Sequence, residues 1–88
     1  MDNHTLAERL RKHARELEVE GGNLYRVRAY RRAAETISEL NEPVVGLLER
    51  GGRRGLQQLP GIGSHIALAL ESFIRTGELP PPVKLPAA

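Results

Sequence analysis

With 88 residues, a net charge of +2 and no cysteine, the chain has the size of a single small domain and is excluded from disulfide scaffolds, thiolate zinc sites and thiol catalysis. Hydrophobic residues form 40% of it, yet only Tyr25, Tyr30 and Phe73 are aromatic, and this Leu-, Ile-, Val- and Ala-based mixture favours packed helices over sheets. No apolar run approaches the roughly 20 residues that cross a bilayer, and Met1-Asp2-Asn3-His4 lacks the basic and apolar segments of a secretory signal, so a soluble, cytoplasmic chain with no membrane partner is expected.

From Thr5 to about Val19, Leu6, Leu10, Ala14 and Leu17 recur at helical spacing while charged residues such as Arg9, Arg11, Lys12 and Arg15 fill the other positions, which predicts an amphipathic helix. Thr5 and Glu8 have the form of a capping box, and Gly21-Gly22 supplies residues that accept left-handed angles at the far end. A second helix is predicted from about Leu24 to Leu40. Asn23 is its cap, Val27, Tyr30, Ala34, Ile37 and Leu40 share one side, and Arg28, Arg31 and Arg32 project from the other. Asn41-Glu42-Pro43 stops it, because the residue before a proline avoids helical angles.

Pro43 suits the first turn of a short third helix with Val44, Val45, Leu47 and Leu48 as its apolar positions, ended by Gly51-Gly52. A further short helix from about Arg53 to Gln58 leads into a glycine turn. The last helix runs from about Ser64, its cap, to Arg75, with Ile66, Ala67, Leu70, Phe73 and Ile74 as the buried stripe and Gly77 as its stop. The proline-rich stretch beyond Leu79 is incompatible with a helix, which sets residues 1–79 apart as the domain and 80–88 as an extended tail or linker. The fold expected is all-α, a compact bundle of four to five short helices.

The chemistry concentrates in Leu59-Pro60-Gly61-Ile62-Gly63-Ser64-His65-Ile66-Ala67. Pro60 fixes the exit from one helix, while Gly61 and Gly63 permit backbone angles and a close approach that a side chain would block. Ile62 is the apolar peg that pins the turn to the core. The amides near Gly61, Gly63 and Ser64 then face outward at the start of a helix, where unpaired donors and the helix dipole make an anion site. A lone Gly-x-Gly is a weak signal, but the whole string with apolar residues at helical spacing on both sides is specific for a helix-hairpin-helix motif.

All thirteen basic residues but Lys12 and Lys84 are arginine, whose planar fork of donors matches phosphate. Arg50, Arg53 and Arg54 precede the turn, and Arg26, Arg28, Arg31 and Arg32 form a second group. The anion expected is therefore nucleic acid phosphate, held without regard to base sequence. Arg28, Arg31 and Arg32 on their own would read as a solvated helix face; the hairpin nearby gives them a binding role.

The string Asn23 to Ile37, followed by Leu56 to Ala67 and then Thr76-Gly77, resembles the N-terminal domain of family-X DNA polymerases, the group that includes DNA polymerase beta. The similarity spans about Thr5 to Leu79, with two motifs in the right order and at about the right separation. It implies a bundle of about four main helices with one helix-hairpin-helix motif, binding to gapped or nicked DNA in repair, and the hairpin on the strand downstream of the gap. It also implies recognition of a downstream 5′-phosphate by Arg26, Tyr30, Gln57 and His65. At the hairpin it implies a structural K+ or Na+ held by the backbone carbonyls of Gln57, Leu59 and Ile62, with no other cofactor. Some members use this domain as a deoxyribose-phosphate lyase through a lysine that forms a Schiff base; the matching position is Ala69, which has no amine to offer.

Together these readings place DNA binding on Gly61, Ile62, Gly63, Ser64 and His65 of the hairpin, with Arg26, Arg28, Tyr30, Arg31, Arg53 and Arg54 around it. DNA is the expected partner, alongside further domains of a parent protein, and no small-molecule substrate is expected. A bacterial source would make the domain nucleoid-associated. Two alternatives stay open, a lyase that uses Lys12 or Lys84 and a protein-interaction module. His4, His13 and His65 lie far apart in the sequence with no metal-ligand spacing, and neither a P-loop nor a Ser/His/Asp arrangement occurs.

Overall fold

The computed structural model describes residues 2–79. Four helices follow one another: α1 (Asn3–Val19), α2 (Leu24–Glu39), α3 (Val44–Gln57) and α4 (Ser64–Thr76). The all-α expectation holds, and no strand occurs among the described residues. The proline-rich tail falls outside them. No described helix is long and apolar enough to cross a membrane.

Helix α1 starts earlier than the Thr5-Glu8 capping box predicts. Asp2 is the cap, its carboxylate accepting the Thr5 amide at 2.7 Å. That bond holds the Asp2 carboxyl below its usual range, because it favours the charged form. At the other end Gly21, with φ 72°, sends its amide to the Glu18 carbonyl while Gly22 donates to Leu17 at 2.7 Å. This is the paired closure of a Schellman motif, and it turns the chain so that α2 packs back along α1.

Asn23 caps α2 as the sequence predicts, its side chain accepting the Tyr25 amide at 2.8 Å. The helix stops one residue short of expectation, leaving Leu40 half-buried and extended beyond its end. Pro43 likewise sits just outside α3, in the cap position. The first turn of α3 is secured from across the chain: Asn3 donates from Nδ2 to the Glu42 carbonyl at 2.8 Å and accepts the Val44 amide on Oδ1 at 2.9 Å.

Helix α3 is two short helices in one, as Gly51-Gly52 predicts, because Gly52 adopts φ 60° and ψ −157° in its middle. This conformation is essentially confined to glycine. The second half carries Leu56, fully buried, towards the centre of the molecule. One buried cluster draws on every helix, with Leu6 and Leu10 from α1, Val27 and Ile37 from α2, Val44 and Leu56 from α3, and Leu70 and Phe73 from α4. The Arg9 guanidinium covers the Phe73 ring at 5.4 Å from its centre, a cation-π contact that ties α1 to α4. Gly77 ends α4 in a left-handed conformation, φ 80°.

Candidate nucleic-acid interface

The hairpin between α3 and α4 is built from a tight turn. Ile62 donates its amide to the Leu59 carbonyl at 3.2 Å, with Pro60 and Gly61 at the two central positions and Gly61 at φ 76°. Proline followed by a positive-φ glycine is the pattern of a type II turn. The side chain of Ile62 is 4% exposed, so the peg role predicted for it is what the structure shows. Thr36 of α2 donates its hydroxyl to the Pro60 carbonyl at 2.8 Å and fixes the turn to α2. The Arg32 side chain lies directly across Gly61, at the place a Cβ would occupy.

Helix α4 begins with Gly63 in the cap position and has no side-chain cap, contrary to the expectation that Ser64 caps it. The consequence is electrostatic. The amides of Gly63, Ser64 and His65 have no acceptor among the described residues, and they stand at the positive end of the α4 dipole. Gly63 is exposed and nothing lies within 4 Å of where its Cβ would be. An oxyanion therefore has an unobstructed approach to main-chain donors.

The arginines divide into two groups around this point. The Tyr30 and His65 rings stand 6.3 Å apart and the Arg26 charge acts on both, second to burial, so three of the residues that the resemblance assigns to a 5′-phosphate lie in one neighbourhood beside the start of α4. Gln57, the fourth, is exposed at the end of α3. Tyr30 is 2% exposed and belongs to the core, where burial pushes its hydroxyl above the usual range. On the other side of the turn Arg28, Arg31 and Arg32 line a shallow groove with Pro60.

The arginines of α3 are engaged differently. Arg50 pairs with Glu42 at 2.6 Å, and Arg53 reaches Glu71 of α4 at 3.7 Å. Arg54 is exposed with no ion pair among the described residues. Ala69 is buried on the inner side of α4, and Lys12 lines a separate groove on α1 with Arg9, His13 and Glu16.

Two features escaped the sequence. His13 packs edge-on against Tyr30 with ring centres 4.7 Å apart, and His65 approaches the same ring edge-on at 6.3 Å, so histidines remote in sequence meet one aromatic side chain. Burial lowers the pKa of both below 6.5, with Arg26 adding to the effect at His65 and Glu16 and Glu20 opposing it at His13. The second is the extension of the arginine surface onto α1, where Arg11 and Arg15 meet Arg31. Only the docking of α1 on α2 reveals it. Among the described residues no group of three His, Asp or Glu side chains is placed to hold a metal ion.

A four-helix, all-α domain whose glycine turn presents free amides, with arginines around it, is a helix-hairpin-helix module. The sequence profile of the helix-hairpin-helix domain matches residues 1–79, and the chain belongs to that family. Domains of this family bind DNA without sequence preference. No curated protein matches the chain closely enough to count as a relative.

Proposed function

We propose that the domain grips the sugar-phosphate backbone of DNA at the hairpin, that gapped or nicked DNA is its preferred form, and that it serves repair inside the cell, either freestanding or as the front end of a larger repair protein such as a family-X polymerase. The observation that carries the reading is the row of unpartnered amides at Gly63, Ser64 and His65, with Gly63 open to solvent and arginines on both flanks. In this reading Gly61 and Ile62 shape the turn, and Ser64 and His65 donate to phosphate. Arg26, Arg28, Arg31 and Arg54 neutralise neighbouring phosphates, joined by Arg53 once it leaves Glu71. Tyr30 braces Arg26 and His65 from below, and Gln57 completes the group around a 5′-phosphate.

The carbonyls of Gln57 and Ile62 accept no hydrogen bond among the described residues, and that of Leu59 accepts one. Each oxygen has lone pairs left, and neutral carbonyls suit a hard cation. K+ or Na+ held there would add positive charge where a phosphate approaches the turn.

Gly63→Leu is the direct test, since the new side chain enters empty space in the folded protein but occupies the place of the phosphate. Helical signal and melting should stay close to the parent. Affinity for gapped duplex should drop at least about tenfold, and the parent's binding should weaken steeply with salt, as phosphate contacts do. Unchanged affinity for Gly63→Leu would remove the hairpin from the interface.

A protein-docking role draws support from a different place, the exposed Val19, Leu24 and Tyr25 at the α1–α2 turn, which are 87%, 62% and 84% exposed. DNA binding that ignores salt and hairpin substitution would favour it. Borohydride trapping on an abasic-site duplex tests the lyase alternative: with alanine at position 69, no covalent adduct is expected.

A further inference from the structure

The groove beside the hairpin does not end on α2. Two shallow depressions share Arg31 and Glu35. One leads from Pro60 past Arg32 and Arg28 to Arg31, and the other continues from Arg31 onto α1, where Arg11 and Arg15 line it. The hairpin is coupled to this surface by the Thr36–Pro60 hydrogen bond of 2.8 Å and by the Arg32 side chain lying over Gly61.

The charges on this surface do not help the fold. Arg11 and Arg15 are one turn apart on α1, and Arg28, Arg31 and Arg32 are three and four apart on α2, spacings at which like charges repel. Of these five, Arg31 alone has an ion-pair partner among the described residues, Glu18 at 3.1 Å, with both side chains half exposed. Glu35 and Glu39 are the acidic groups that line the groove itself, and neither forms an ion pair among the described residues. Five guanidinium groups on two helices, facing three carboxylates, form an elongated and open basic track. Such a track matches a repeating anion better than a single one.

We infer that this face holds a second stretch of DNA backbone, so that a duplex gripped at the hairpin lies along α2 and reaches Arg11 and Arg15 of α1. The inference rests on the hairpin reading and adds an α1 contact that the hairpin string does not contain. A nucleic acid fits better than an acidic protein because the groove reaches the hairpin at Pro60, three residues before the unpartnered amides at the start of α4.

The experiment uses the whole chain and a duplex about two turns long, titrated over a range of salt. Arg11→Gln/Arg15→Gln should leave the helical signal intact, weaken binding roughly tenfold at low salt, and reduce the log–log salt slope by about 1.8, at about 0.9 for each lost phosphate contact. Unchanged affinity and slope in this variant, with binding lost in Gly63→Leu, would overturn the α1 contact and leave the hairpin reading in place. Loss in Arg11→Gln/Arg15→Gln with none in Gly63→Leu would support the α1 face and sink the hairpin reading. Poly-glutamate that binds the parent as tightly as the duplex, and loses affinity with the same two substitutions, would overturn DNA as the occupant in favour of an acidic protein.

Discussion

A methyl group at Gly61 would meet the Arg32 side chain at 2.5 to 2.7 Å, on a residue whose φ of 76° is left-handed. The two penalties are separable. Arg32 ends in a flexible, exposed chain that can swing away, whereas the left-handed angle costs an L-residue about 1–2 kcal/mol wherever its neighbours lie. Gly61→Ala should therefore lose about 1–2 kcal/mol in urea denaturation, and adding Arg32→Ala should restore little of it. Full recovery in the double variant would show that the contact, not the angle, decides. The histidines around Tyr30 give a prediction in pH. Burial holds His13 and His65 below 6.5 in the folded state, so the unfolded chain takes up protons first as pH falls, and stability, complete above 6.5, declines below it. DNA should show the opposite sign, because a phosphate near His65 favours its charged form. Affinity should rise as the pH is lowered towards about 5, and His65→Gln should flatten that rise; a parallel loss of affinity and stability would place His65 away from phosphate.

Among the elements, α3 shows how far sequence reasoning reaches. The Gly51-Gly52 pair marks the break correctly, but pattern alone does not say which glycine takes the unusual angles. The structure assigns them to Gly52, φ 60° and ψ −157°, while Gly51 stays helical with open space around its Cβ position. Gly52→Ala should cost about 1–3 kcal/mol, and Gly51→Ala should be neutral or stabilising by up to about 1 kcal/mol. Thermal melts of the two variants that move together would argue against this assignment. The helix periodicities, the Asn23 cap, the Ile62 peg and the Gly77 stop were legible because each depends on residues within a turn or two. The start of α1 was not, since the Thr5-Glu8 pattern competes with Asp2, and the first turn is also held by Asn3 bonding to Glu42 and Val44 about forty residues away. The approach of His13 and His65 to Tyr30, and the meeting of Arg31 with Arg11 and Arg15, are hidden for the same reason: they exist only once α1 and α4 lie against α2.

At the scale of the whole molecule, the interface depends on a core it shares with everything else. The buried cluster joins Leu10 of α1, Ile37 of α2, Leu56 of α3 and Phe73 of α4 with Ile62 of the hairpin itself. A domain of this size has a total stability of roughly 5–10 kcal/mol, and removing most of a buried leucine costs about 2–5 kcal/mol. Leu10→Ala, on the helix farthest in sequence from the hairpin, should lower the urea midpoint without altering the intrinsic affinity for DNA. In that variant the loss of helical signal and the loss of the native Gly63 and Ser64 amide resonances should coincide along the denaturant axis, because no part of the hairpin has a separate core to rest on. The alternative has a structural basis: α1 packs extensively on α2, and α4 packs mainly on α3, with thinner contact between α2 and α4. If hairpin resonances outlast the helical signal of α1 and α2, the α3–α4 pair forms a fold of its own, and DNA affinity would then persist at denaturant concentrations where half of the helix content has gone.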